Sequence, residues 1–226
     1  VIMLKAGRTS LGAAAASSHT GALAGNDKIY EDVLRQSGVI RARSLRDLLD
    51  FARGVPILPT PKGENVVIIT GAGGSGVLLS DACVDQGLTL MPMPADLDAA
   101  FRKFIPPFGA AGNPVDITGG EPPQTYKNTV LLGLSDPRIH ALILGYWHTI
   151  VTPPMVFATN MVQVIEEMRA KGKVKPVVVS LAGDVEVEEA AQYLYEHGIP
   201  AYAYSTEIPV EILGAKYQWA RGAGLL

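Results

Sequence analysis

The chain has 226 residues, 48% of them hydrophobic and 18% charged, with a formal net charge of −3. That is the material of a globular protein with one large domain, or one domain and a smaller companion. The near balance of charge gives no basic stripe for a nucleic-acid backbone, and the single cysteine, Cys83, rules out an internal disulfide and a cysteine metal site. No apolar run approaches the roughly twenty residues needed to span a bilayer, and "VIMLK" is too short for a targeting region, so a cytoplasmic protein without membrane partners is expected.

In chain order, "VIMLK" (1–5) reads as a buried strand, and the Gly/Ala/Ser segment 6–25 as a loop. Ile29, Tyr30, Val33 and Leu34 then recur at helical spacing, with Gly38 as the stop. "VIRAR" (39–43) is a short strand, and Ser44 with Asp47 is a capping box that opens a helix ending at Gly54. The start on Val1, inside a strand, suggests an N-terminus cut from something longer.

"VPILPTPKGE" (55–64) holds three prolines and no periodicity, and reads as a linker. Beyond it a new alternation begins. "NVVIIT" is a buried strand, "GAGGSG" a tight turn, and "SGVLLSDACVDQG" a helix expected to turn Val77, Leu78, Ala82 and Cys83 inward. "LTLMPM", "NPVDIT", "IHALILGYW", "KPVVVSLAG" and "PAYAY" are further strands. Helices fall around 96–104, in "YKNTVLLGLSD", over 154–171, in "EVEEAAQYLYEHG" and over 206–219. Strands alternating with helices indicate βαβ units and a parallel sheet, whose ligands sit at the carboxyl ends of the strands. No internal repeat is evident.

Three glycine-rich or small-residue segments follow strands. In "TGAGGSG" (70–76), Gly71, Gly73 and Gly76 fit the G-x-G-x-x-G spacing at a helix start, where unpaired N–H groups favour an anion. A dinucleotide reading needs an acidic residue at the end of the second strand, and Asp96 falls past it. Spacing alone leaves anion binding, dinucleotide binding and a structural turn open. In "AAAASSHTGALAG" (13–25) small neighbours leave room around His19, and the hydroxyls of Ser18 and Thr20 could donate to an anion. A histidine there is either a nucleophile or a surface group. "GNPVDITGGE" (112–121), with Asp116 on its strand, also fits a structural turn. Among the other histidines, His197 suits a helix carboxyl end, His140 is peripheral, and His148 in "YWHTIVTPP" lies where strand meets loop.

Taken together, "KAGR…AAASSHTGALAG" with "VLRQSGVIRARSLRDLLDFA", then "NVVIITGAGGSGVLLSDACVDQGL", "NPVDITGG" and "PVVVSLAG", resemble the nucleoside-diphosphate-forming acyl-CoA synthetases, relatives of succinyl-CoA synthetase. The resemblance implies an α/β protein. Residues 1–54 would be the carboxyl-terminal part of a succinyl-CoA synthetase-like domain carrying the histidine loop, 55–64 a linker, and 65–226 a flavodoxin-like CoA-ligase domain with a parallel sheet. It implies an ADP-forming acid–CoA ligase. An acyl-CoA and phosphate give an acyl phosphate, whose phosphoryl group passes to His19 and then to ADP.

By the same resemblance, His19 is the catalytic residue. Ser18, Thr20, Gly21, Gly73, Gly74, Ser75 and Gly76 would hold the phosphoryl group, and Thr70, Gly71, His148 and Thr149 would flank the acid pocket. No residue is assigned to a metal. CoA and ADP or ATP with Mg are the expected cofactors of the parent enzyme, and phosphate or sulfate the only expected ligand of this chain. The family's CoA-binding Rossmann domain, its other phosphate-holding helix, the carboxylate orienting the histidine and the ATP-grasp portion are not in these residues. The chain is therefore expected to be incomplete alone, with those domains, and possible further copies of itself, as partners. Gly71 stands where the family usually has Asn, so the acid accepted is open. The alternative is the ligand-sensing synthetase-like region of a protein lysine acetyltransferase, against which the retained His19 argues.

Overall fold

The computed structural model describes residues 1–21 and 25–226, except for the Thr20 side chain. In chain order the elements are β1 (Ile2–Leu4), α1 (Ser10–Thr20), α2 (Asp27–Gln36), β2 (Ile40–Ala42), α3 (Leu45–Gly54), β3 (Asn65–Thr70), α4 (Gly73–Asp85), β4 (Thr89–Leu90), α5 (Ala95–Phe101), β5 (Val115–Asp116), α6 (Pro123–Ser135), β6 (Ala141–Trp147), α7 (Pro154–Ala170), β7 (Val177–Ala182), α8 (Glu186–Glu196), β8 (Ala201–Ala203) and α9 (Glu207–Gly222).

The larger sheet is parallel throughout, in the order β4-β3-β6-β7-β8, with β5 also paired to β3. With the two-residue β5 set aside and the rest numbered from the sheet's own first strand, that is the flavodoxin order 2-1-3-4-5, whose switch point lies where the winding reverses, between β3 and β6. One face packs α5, α6, α7 and α8 around Tyr146, Phe157 and Leu142; the other packs α4 and α9 around Ile68, Leu79 and Tyr217. The strands are near-continuous apolar runs, because a parallel sheet is covered on both faces.

Several sequence expectations change in detail. "LTLMPM" and "NPVDIT" pair over only two residues each. Prolines 92, 94 and 114 offer no N–H to a ladder. The Asn113 side chain fills the gap: its Oδ1 accepts the Ile68 N–H, and its Nδ2 donates to Val66 O and Met91 O. In α4 the inward residues are Gly76, Leu79 and Cys83, whereas Val77 and Leu78 are exposed. The helical period sets this, since Leu79 and Cys83 lie one turn apart on the face that meets the sheet. Cys83 sits in an apolar helix face, as expected, and burial pushes its thiol up to about 12.

The segment expected as a loop at 6–25 contains helix α1. Four successive alanines (13–16) have the best helix propensity, and the Thr9 hydroxyl caps the start by accepting the Gly12 N–H at 3.2 Å. Gly21 closes the end in the left-handed conformation (φ 68°), its N–H bonded to Ser17 O at 2.9 Å. Residues 22–24 of that stretch lie outside the described residues.

β1 and β2 form a two-stranded parallel sheet, too small to stand alone. Ile40, Ala42, Phe51, Val55 and Leu58 join the core under α4 and α9, so α2, β2 and α3 dock on α9 of the same chain. On α2 only Leu34 is fully buried, and Ile29, Tyr30 and Val33 stay exposed.

Candidate functional site at the carboxyl edge of the sheet

β3 ends at Thr70, which is fully buried; its Oγ1 accepts the Ala72 N–H at 3.0 Å and donates to Ala72 O at 3.1 Å. The hydroxyl is spent on closing the turn. Gly71 continues the ladder by donating to Gly145 O at 3.1 Å, and is buried under Tyr126. A Cβ on Gly71 would lie 2.0 Å from Tyr126 Oη, so no other residue fits this backbone without displacing the ring. The Tyr126 phenol donates to Gly145 O at 3.3 Å, and burial drives its pKa upward.

α4 then begins with no side chain capping it. Its first N–H groups have no intrahelical partner and carry the positive end of the helix dipole. Gly73 and Gly74 are exposed and Ser75 half-buried, and a Cβ at Gly74 would meet nothing within 4 Å, so this end is open. Gly76 is different: it is buried, and a Cβ there would press on Thr70 Cγ2 at 3.0 Å and Pro114 Cβ at 3.3 Å. Asp116 flanks the opening, with Oδ2 2.7 Å from the position a Gly73 Cβ would take and Oδ1 accepting the Thr118 N–H. Thr118 itself has φ 64°, a costly conformation for a β-branched residue.

The same edge holds a cavity of about 510 Å³ bounded by Gly74, Ser75, Leu78, Trp147, Ser180 and Tyr204. Tyr204 is the second non-glycine residue at positive φ among those described, 61°, and its hydroxyl donates to Asp184 O. A further cavity, about 360 Å³, lies between residues 31–51 and α9, beside Asp85 and Gln86 at the opposite end of α4. Its Arg41 is already tied to Asp27 and Glu31, and it is remote from the strand ends where an α/β sheet binds ligands.

Of the acid-pocket candidates, Gly71 and Thr149 are brought together across Gly119. A Cβ on Gly119 would be 3.3 Å from Gly71 O and 3.5 Å from Thr149 Cγ2. His148 turns the other way. Its Cβ packs against Gly183, its Nδ1 lies 3.2 Å from Asp184 Oδ1, and its Nε2 lies 3.8 Å from Glu186 Oε2. These three groups offer ligand atoms within 4.8 Å of one another, and the two imidazole nitrogens face different carboxylates.

His19 is exposed in the last turn of α1, and the Ser18 hydroxyl donates to Ala15 O at 2.9 Å. Among the described residues α1 has no more than marginal contact with any other element, so no extensive packing holds it against the start of α4. The imidazole therefore sits at the negative end of a helix dipole, and the open glycines at the positive end of another. Asp96, the dinucleotide candidate, forms a fork with Arg138 (3.0 and 2.8 Å) and faces no glycine-rich turn. His197 caps α8, with Nδ1 2.8 Å from Tyr193 O, and His140 Nδ1 accepts the Asn65 N–H at the amino edge of the sheet. Tyr126 and Tyr204 are missed by sequence reasoning, since nothing in their local pattern tells an aromatic beside the edge from any other, whereas Trp147 falls in the "YWHTIVTPP" stretch. Among the described residues no helix is long and apolar enough to cross a membrane.

A parallel sheet in this order, with an uncapped glycine-rich helix start at its switch point, defines a doubly wound α/β protein of flavodoxin type. A smaller α/β segment docks on one helical face. The chain belongs to the Ligase-CoA domain family, whose model matches residues 66–226, while that of the succinyl-CoA ligase like flavodoxin domain matches residues 1–55.

Among its relatives, the alpha subunit of the ADP-forming acetate–CoA ligase I of Pyrococcus furiosus is 42% identical over 98% of this chain and 47% of its own length. The ADP-forming 4-hydroxybutyrate–CoA ligase of Nitrosopumilus maritimus is 34% identical over 91% of this chain and 28% of its own. A solved structure, the dinucleotide forming acetyl-coenzyme A synthetase 1 of Ca. Korarchaeum cryptofilum in complex with phosphate and ADP, superposes with a TM-score of 0.92. Its identity is 39%, over 99% of this chain and 47% of that one. The chain thus spans about half the length, or less, of the relatives it matches.

Proposed function

We propose that this chain is the phosphohistidine-bearing part of an ADP-forming acyl-CoA synthetase, dividing at 55–64 into a histidine segment (1–54) and a CoA-ligase domain (65–226). The observation that carries the reading is the uncapped start of α4 at the switch point, where Gly73, Gly74 and Ser75 leave donors and open space for an anion. Relatives whose names specify ADP-forming CoA ligases, and a structural neighbour solved with phosphate, support a phosphoryl group as that anion.

In this reading an acyl phosphate formed in the parent protein gives up its phosphoryl group to a nitrogen of His19. The P–O bond to the acid breaks, a P–N bond forms, and the carboxylate leaves. The α4 start stabilises the phosphoryl charge with backbone N–H groups fixed before the reaction. ADP then takes the group, forming ATP. Mg on the nucleotide would offset the charge of its phosphates, and the groups holding it and CoA are assigned to the parent's other domains. This chain alone does not complete the cycle.

The geometry adds one requirement. A phosphohistidine at residue 19 would carry negative charge at the carboxyl end of α1, where the dipole repels it. In this reading the last turn of α1 opens for His19 to reach α4, and the weak helix propensity of Ser17, Ser18, His19 and Thr20 keeps that opening inexpensive. The test is the ligase reaction of the parent protein. His19→Asn should lower acyl-CoA-dependent ATP formation by at least about a thousandfold, as expected for loss of a covalent nucleophile. Retained activity in that variant would remove the assignment.

A further inference from the structure

On the amino edge of the sheet, away from α4's open end, lies a cavity of about 220 Å³ with Leu134, Ile139 and Val174 among its walls and Lys62 and Lys173 beside them. Lys175, two residues before β7, lines it and is only partly exposed. Its Nζ donates to Gly133 O at 3.1 Å and to Asp136 O at 2.5 Å, both at the carboxyl end of α6. No third acceptor for this nitrogen is found among the described residues. An ammonium has three N–H donors, whereas a neutral amine has two and a lone pair. Two carbonyls thus take both N–H groups of the neutral amine and leave its lone pair free.

We propose that Lys175 is a site of acylation, its Nζ taking an acyl group from an anionic acyl phosphate or acyl thioester that enters this cavity. Lys62 and Lys173 draw the anion, and the apolar wall receives the acyl chain. The Nζ lone pair attacks the acyl carbon, forming a C–N bond. The C–O bond to phosphate or the C–S bond to the thiol breaks, the leaving group departs with the electron pair, and the proton from nitrogen passes to solvent.

The electrostatics agree with the geometry. Burial, assisted by Lys173 and opposed by Asp136, brings the Lys175 amine down to about 8. Asp136 is largely engaged by Arg138, through contacts of 2.9 Å to Nε and 2.6 Å to Nη2. His140, also lining the cavity, is itself held below its ordinary value, chiefly by burial. Acylation would leave a single N–H for two carbonyls and loosen the clamp between α6 and β7.

The choice of donor rests on the proposed ligase function; the reactivity of the amine does not. The test therefore supplies donors from outside to this chain, with acetyl phosphate in one arm and acetyl-CoA in the other, and reads each lysine by peptide mass spectrometry across pH. An amine at about 8 is roughly a quarter neutral at pH 7.5, against about one part in a thousand for an ordinary lysine, and allowing for weaker intrinsic nucleophilicity the account expects Lys175 to label about tenfold faster than the median lysine. Its rate should level off above about pH 8 while those of the other lysines keep climbing. The arm that labels names the donor class. Labelling at or below the median in both arms, or a Lys175 rate that climbs with the others, overturns the proposal whatever the ligase assay gives. Lys175→Arg, which keeps the charge and both carbonyl contacts available, should abolish the adduct at that position and leave the rates elsewhere unchanged.

Discussion

The Tyr126 hydroxyl occupies the space that a side chain on Gly71 would need, 2.0 Å from the position of its missing Cβ. The ring cannot withdraw, since it packs edge-on to Phe157 with centroids 4.9 Å apart and lies 6.2 Å from Tyr146. Gly71→Ala should therefore cost about 2–3 kcal/mol by overpacking. Tyr126→Phe removes the clashing oxygen, so the double variant should lose clearly less than the sum of the singles. Denaturant titration of the four proteins checks this; simple additivity would show that the two positions do not conflict.

Asp116 places a carboxylate beside the open start of α4, where its charge opposes an incoming anion. Asp116→Asn keeps the oxygen that accepts the Thr118 N–H and removes the charge. Phosphate affinity measured by calorimetry on this chain should rise about threefold, the scale of one partly screened charge. Unchanged or weaker binding would place the phosphate elsewhere.

Arg41 is the buried hub of the N-terminal segment, holding Asp27 at 2.5 Å together with Glu31, while Lys5 reaches Asp27 at 3.5 Å. The Arg41 hydrogen bond holds the Asp27 carboxyl below its usual range. A depressed carboxylate stabilises fully above its unfolded pKa of about 4, and that contribution is lost as pH falls through the folded value. Limited proteolysis should find residues 1–54 as resistant at about pH 6 as at neutrality, and cut preferentially below about pH 4. Arg41→Met should give the sensitive behaviour already at neutral pH. Equal resistance in both variants across the range would mean that the ion pairs do not hold the segment.

Phosphorylation of His19 should unwind the end of α1, because the added charge meets the negative end of the dipole. Amide exchange at residues 17–20 of the phosphorylated parent should quicken relative to the unmodified protein, while that of α4 slows as its N–H groups find an acceptor. Exchange unaltered at both places would argue against the transfer geometry.

The sheet was legible because its long strands β3, β6 and β7 are apolar runs, and the capping box at Ser44 is a local device, confirmed by its hydroxyl accepting the Asp47 N–H at 3.0 Å. The inward face of α4 was misread because Val77 and Leu78 are as apolar as Leu79, and only packing against the sheet decides among them. α1 was hidden by composition: glycine and serine suggest a loop, but the alanines at 13–16 outweigh them once Thr9 and Gly21 cap the ends. At the site, the open glycines followed from strand, turn and helix in sequence. Trp147 and Tyr204, which line one cavity at the edge, come from distant segments, and Tyr126 reaches Gly71 from a third, so these placements follow from the folded sheet order and not from local pattern.

The central claim is that residue 19 carries the phosphoryl group. The most direct measurement incubates the parent protein with ATP and Mg and maps any acid-labile, base-stable phosphate by mass spectrometry at neutral to alkaline pH. The account predicts phosphate on the peptide containing His19, its loss on adding ADP, and none on that peptide in His19→Asn. Phosphate at undiminished stoichiometry in the variant, or mapped only to another residue, would contradict it.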